Sequence, residues 1–155
     1  MASRQIKDFL EREAVTYEVL PHRQAYTAQG MAASLHVSGR EVAKPVILKA
    51  RNGRVVMAVV PGPRRVDVRA VEELFGSPLE LASEDEMARL FPDCELGAEP
   101  PLGNLYGMPV YADESLLKDR EIVFNAGTHT EAIRMRREDF ERVVRPVMGS
   151  LSTGH

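Results

Sequence analysis

Cysteine is nearly absent from this chain, Cys94 being the one copy in 155 residues. No disulfide can close within it, so a reducing cytoplasm is the expected setting. No apolar run approaches the roughly twenty residues that a bilayer-spanning helix needs. The opening stretch MASRQIKDFLEREA is charged rather than signal-like, and no membrane partner is expected. A basic excess is missing too. The chain carries 20 Lys and Arg against 23 Asp and Glu, a net charge of -3, whereas a firm grip on a long nucleic acid rests on neutralising phosphates. The familiar catalytic signatures are also absent: there is no GxSxG elbow, no P-loop and no GxGxxG. The four histidines (His22, His36, His129 and His155) are scattered, with no pair at metal-ligand spacing, so neither a metal nor a cofactor is expected.

What is present describes one ordinary globular domain. The length suffices for a real core, and 44% apolar with 28% charged residues is typical of one. Ile6, Phe9 and Leu10 recur at helical spacing, which predicts an amphipathic helix over Ser3 to Glu13. Val15 to Leu20 alternates like a strand. Thr27 can cap a helix over Ala28 to Leu35, whose small alanines permit close packing.

The centre is more definite. Val42 to Arg51 and Arg54 to Val60 read as two strands around Asn52-Gly53, a dipeptide that tolerates the positive φ angles of a type I′ hairpin turn. VVMAVV (Val55 to Val60) is apolar on both faces, which predicts a central strand covered above and below. Asp67 can cap a helix containing Val71, Leu74 and Phe75. Ser83 with Glu86 three residues on forms a capping box for Glu84 to Leu90, and Pro92 stops that helix. DCELGAEPPLGNLYGMP, with three glycines and three prolines, is too interrupted to be regular. Strands follow at Val110-Tyr111, Glu121 to Asn125 and Glu131 to Met135. A helix bearing Phe140, Val143 and Val144 on one face comes next. The irregular interleaving predicts an α+β fold with a mixed central sheet. The domain is expected over residues 1–148, with a loose polar tail at 149–155.

Two local features bear on function. Lys44, Lys49, Arg51, Arg54, Arg64, Arg65 and Arg69 crowd one stretch against a single acid, Asp67. Such a run is either a solvated strand edge or a landing surface for a few phosphates. Cys94 follows a helix stop in a proline-bounded loop, where a lone cysteine is more often a small buried hydrophobe than a nucleophile.

Three segments, AYTAQGMAASLHVSGREVAKPVILK (Ala25 to Lys49), LFPDCELGAEPPLG (Leu90 to Gly103) and IVFNAGTHTEAIRM (Ile122 to Met135), together resemble the YbaK and prolyl-tRNA-synthetase-associated domain family. The likeness runs from the first helix to the last. It implies a YbaK-like fold and a deacylase that hydrolyses the ester joining an amino acid to the terminal ribose of a tRNA. Family members edit alanine or cysteine misattached to proline tRNA, so the implied partners are the tRNA acceptor end and an aminoacyl-tRNA synthetase.

The resemblance assigns roles that the residues alone leave open. Lys44, beside a Pro45 that cannot donate to a ladder and so marks a bulge or an edge, reads alone as a lysine snorkelling to water. By resemblance it is the family's essential lysine, whose ammonium binds ribose or phosphate and stabilises charge on the ester. Gly97 to Gly103, with Pro100 and Pro101, is either a rigid turn or the glycine-proline loop of a pocket wall. Gly127, Thr128, His129 and Thr130 match the other wall, Gly127 offering its amide to the substrate carbonyl. His129 either orients water or is structural. Tyr26 and Thr27 line the cleft, although capping alone explains Thr27. A metabolite-binding module without turnover and a hydrolase of small activated esters would use the same pocket.

Overall fold

The computed structural model describes residues 3–154. In chain order they form α1 (Arg4–Arg12), β1 (Tyr17–Pro21), α2 (Ala28–Leu35), β2 (Ala43–Lys49), β3 (Val55–Pro61), β4 (Arg65–Val66) and α3 (Val68–Phe75). Then come β5 (Glu80–Leu81), α4 (Glu84–Leu90), β6 (Val110–Asp113), β7 (Glu121–Asn125), β8 (Glu131–Arg136), α5 (Arg137–Val144), β9 (Val147–Gly149) and β10 (Ser152–Thr153). Among these residues no helix is long and apolar enough to cross a membrane.

The hairpin forms the spine of a five-stranded mixed sheet ordered β5-β2-β3-β6-β9. β2 and β3 pair antiparallel without a bulge from Ala43↔Pro61 to Lys49↔Val55, while β6 and β9 add on in parallel. The turn differs from the expected type I′. Gly53 donates to the Ala50 carbonyl and Ala50 to that of Arg54, and of the loop residues only Gly53 has a positive φ, +87°. That is a three-residue hairpin loop with glycine in the left-handed position. Only one residue, rather than two, needs the conformation that Asn-Gly permits.

Period 2 explains why β3 is apolar throughout. Met57 and Val59 enter the main core with Ile6, Phe9 and Leu10 of α1, Phe124 of β7 and Phe140 of α5. Val56 and Ala58 face the other way, against Val71 of α3, Leu79 and Leu151. A second sheet, β1-β8-β7, is antiparallel throughout. Its far side packs on α2 through Met31, Ala32, Val123 and Ala132. The two sheets touch at a bridge between Val42 and Val123. The sequence reading anticipated β1 to β3 and β6 to β8 but not the short β4, β5, β9 and β10, nor the separation of β1, β8 and β7 from the central sheet, because the pairing of β1 with β8 spans more than a hundred residues.

Local caps are as expected. Thr27 Oγ1 accepts from Gly30 N at 2.9 Å, Asp67 Oδ1 accepts from Ala70 N at 3.2 Å, and the Ser83–Glu86 capping box is complete.

The loose tail is not observed over its described part. β9 pairs with β6, and β10 pairs with β4 through Ser152↔Val66 and Thr153↔Arg65. Leu151 is 1% exposed, and its N–H donates to Asp113 Oδ1 at 2.7 Å. Arg64 donates to the Ser152 hydroxyl and to the Ser152 and Gly154 carbonyls. Polarity misled because one leucine and a distant arginine hold the segment, and neither leaves a periodic signal. Ending the chain at residue 148 removes Leu151 from the core and the acceptors from Arg64, at an expected cost of about 2–4 kcal/mol in denaturant unfolding. An unchanged midpoint would contradict this packing.

Candidate active site

β5 pairs with β2 at Leu48 and Lys49 and Ala82 N donates to the Ile47 carbonyl, so the open edge of β2 runs from Ala43 to Val46. Pro45 lies on it, as its missing N–H requires, and the register there is free of a bulge. A cavity of about 570 Å³ opens along this edge, a size suited to a small ligand or the end of a larger one. Tyr26, Thr27, Lys44, Gly97, Glu99 and Asn125 are among its lining residues. Tyr26, Leu81 and Leu96 also line it, and they are 69%, 64% and 48% exposed, giving the mouth an apolar rim.

The backbone fixes the head of Lys44. Its Nζ donates to the Arg64 carbonyl at 2.8 Å and to the Gly62 carbonyl at 3.2 Å. An ammonium has three N–H groups, so one more donor remains for a ligand. Burial lowers the Lys44 pKa from its ordinary value, and the nearby Arg65 adds to this. Gly62 lets the loop come this close, since a Cβ there would lie 2.9 Å from the Gly39 carbonyl oxygen.

Much of the basic run has structural partners. Lys49 pairs with Glu86 at 2.8 Å, Arg54 lies over the Phe75 ring, and Arg64 holds the C-terminal strand. Arg51, Arg65 and Arg69 remain exposed.

The second group of expected site residues plays a different part. Gly127 is buried, with a φ of +92°. Its N–H donates to the Ala98 carbonyl at 2.9 Å, and its own carbonyl accepts from Glu95 N at 2.7 Å. The amide expected to reach a substrate carbonyl is therefore already engaged. His129 is 5% exposed. Its Nε2 meets the Leu96 carbonyl at 2.7 Å, its Nδ1 meets that of Ala25 at 3.1 Å, and its backbone N–H donates to Glu95 Oε1 at 2.7 Å. The imidazole also contacts the Tyr26 ring, with centroids 4.6 Å apart. Gly127 and His129 thus brace two cavity walls, the 95–98 loop and the approach to α2, from behind. Thr128 and Thr130 contact each other and do not line the cavity. Pro100, Pro101 and Gly103 are buried behind the wall. A Cβ at Gly103 would come within 2.6 Å of Val110.

The sequence reading missed Glu99 and Asn125. Glu99 sits inside the quoted GAEPPLG segment, where the glycines and prolines drew the attention, and Asn125 ends β7 just before Ala126-Gly127. The Glu99 Oε2 accepts from Gly97 N at 3.0 Å, and burial raises its pKa.

Cys94 does not line the cavity, and its surroundings disfavour the thiolate. Burial pushes its thiol up to about 12, with the Asp93 carboxylate adding to the rise, so the thiolate is scarce near neutral pH. Its Sγ lies 3.5 Å from the Tyr106 hydroxyl. Cys94→Ala is expected to leave any hydrolytic rate unchanged, and a lost rate in a folded variant would reinstate thiol chemistry. Among the described residues, no cluster of His, Cys, Asp or Glu could hold a metal ion.

The family model described as the aminoacyl-tRNA editing domain matches residues 22–143. The crystal structure of hypothetical protein APE2540 superposes with a TM-score of 0.89 at 22% identity, covering 97% of this chain and 100% of that one. A candidate trans-editing enzyme for prolyl tRNA synthetase gives 0.84 at 24% identity, covering 97% and 96%. A candidate signal transduction protein from Marinobacter aquaeolei VT8 gives 0.76 at 16% identity; this chain is covered over 97%, but only 30% of that protein is. Identities this low establish the fold alone, and one fold hosts many functions. The family model is the more specific finding, and because it spans the elements that build the cavity, the chain belongs to the aminoacyl-tRNA editing domain family.

Proposed function

We propose that this protein is a trans-editing deacylase, which hydrolyses the ester between a small amino acid, such as alanine, cysteine or serine, and the terminal ribose of proline tRNA. The observation that carries this reading is Lys44: an ammonium oriented by two backbone carbonyls at the wall of a cavity too small for more than a tRNA terminus. Its remaining N–H is suited to the ester oxygen or an adjacent phosphate, where a preorganised charge counts most.

An aminoacyl ester is already activated and carries a neighbouring ribose hydroxyl. Holding it in place and letting that hydroxyl guide a water molecule is sufficient chemistry for a site without a thiolate or a paired acid and base. The apolar rim of Tyr26, Leu81 and Leu96 suits the face of the terminal base. With a net charge of -3, contact with the rest of the tRNA is weak and brief, and selection among tRNAs falls to the acceptor end or to a cytoplasmic synthetase partner. The cavity then acts as the second sieve for small side chains that binding alone separates poorly.

The test is discharge of alanine, cysteine and serine from proline tRNA, run beside the same esters on a short nucleotide mimic. Rapid loss from tRNA with slow loss from the mimic supports editing. Equal rates would point to a hydrolase of small activated esters, and binding of either without turnover to a metabolite-binding module.

A further inference from the structure

Lys44 supplies the cavity with a donor, and the same lining supplies two acceptors that the hydrolytic reading leaves unused. Glu99 is 5% exposed and lines the cavity. Its side chain has one protein bond to another residue, from Gly97 N to Oε2. Among the described residues no Lys or Arg forms an ion pair with it; the nearby charge acting on it is that of His129, whose ring nitrogens face the Ala25 and Leu96 carbonyls instead. Asn125 lines the cavity as well, and its Oδ1 is buried without a hydrogen-bond partner.

A buried carboxylate without a salt-bridge partner and a buried amide oxygen without a donor are both costly. Both residues line the same cavity, and a cationic donor bound there is the kind of partner each can take. The amino acid of an aminoacyl ester brings such a group, an ammonium with three N–H donors on the carbon next to the carbonyl. We infer that Glu99 and Asn125 form the recognition site for the α-ammonium group of the esterified amino acid. The inference rests on the editing reading, and it orients the substrate, with its amine at Glu99 and Asn125 and its ester towards Lys44. It also defines the substrate class as α-amino acid esters with a free amine, whatever the side chain.

The test compares alanyl-tRNA with lactyl-tRNA, which differ by an ammonium against a hydroxyl. The wild type is expected to prefer the alanyl ester by about tenfold or more, the usual scale for a charge-assisted hydrogen bond. Glu99→Gln keeps an acceptor for Gly97 N but loses the charge. It should slow the alanyl arm by a similar factor and spare the lactyl arm, so that the preference collapses. Asn125→Ala should move the ratio in the same direction by less, which covers the case of a Glu99→Gln chain that fails to fold. An alanyl-to-lactyl ratio unchanged in both variants, or absent in the wild type, overturns the inference.

Binding of the stable amides 3′-alanylamino- and 3′-lactylamino-3′-deoxyadenosine separates this outcome from failure of the editing reading. A wild type that discharges neither ester sinks deacylation, while tighter binding of the alanyl amide would still uphold the ammonium site. Equal affinities would overturn it.

Discussion

Replacing His129 with alanine is expected to lower stability by about 2–4 kcal/mol and to weaken substrate binding more than turnover. The ring lies between the Leu96 and Ala25 carbonyls and packs against Tyr26. Removing it leaves two carbonyl oxygens facing a void and frees the loop carrying Gly97 and Glu99 from the approach to Thr27. A buried polar group stripped of its partner costs more than the bond it made, because it regains no water. Since Gly127, Glu95 and Ala98 still hold the loop from the other side, a loosened wall is expected rather than a missing one. Denaturant midpoints, with KM and kcat measured apart, check this. A variant that melts like the wild type but loses kcat would mean that His129 acts on the substrate.

The largest effect on activity is expected at Lys44. Lys44→Ala is expected to reduce the enzyme-dependent deacylation rate by about 10²–10³, the scale of losing one preorganised charged donor. The fold should persist, since the full ladder to β3 holds β2 even when the Gly62 and Arg64 carbonyls lose this donor. The pH dependence has a definite sign. Burial depresses the Lys44 pKa below the ordinary 10.5, so the ammonium form that the proposed reaction requires is lost as pH climbs through that lowered value. Stability moves the other way. The folded state penalises the ammonium relative to the unfolded chain, so this group's contribution improves as pH rises from the folded pKa towards 10.5. Enzyme-dependent hydrolysis, corrected for the rising buffer rate, should therefore decline on the alkaline limb while the protein remains folded. A rate that continues to rise with pH in both wild type and Lys44→Ala would contradict a role for the ammonium.

Where the chain's own chemistry is local, the sequence shows it. The Ser83–Glu86 box, the Thr27 cap and the doubly apolar β3 each follow from residues within a few positions of one another, and each is present as read. Long-range relations were hidden. The C-terminal strand depends on Arg64, 88 residues from Ser152, and nothing within GSLSTGH marks it. The site divides along the same line. Lys44, Tyr26, Thr27 and Gly97 line one cavity. Gly127 and His129 fall behind the wall because their bonds go to Glu95, Leu96 and Ala98, which periodicity cannot pair with them. Glu99 escaped notice because a carboxylate in a loop ordinarily faces water, and only the packed structure shows this one buried.

The most direct test of the central claim is the rate at which the wild-type protein releases alanine from alanine-charged proline tRNA, set beside release of proline from the correctly charged tRNA. Editing at this cavity predicts that the alanyl ester disappears at least about tenfold faster than in buffer, with the tRNA left intact and the prolyl ester spared. Alanyl ester lost no faster than in buffer, or both esters lost alike, would contradict it.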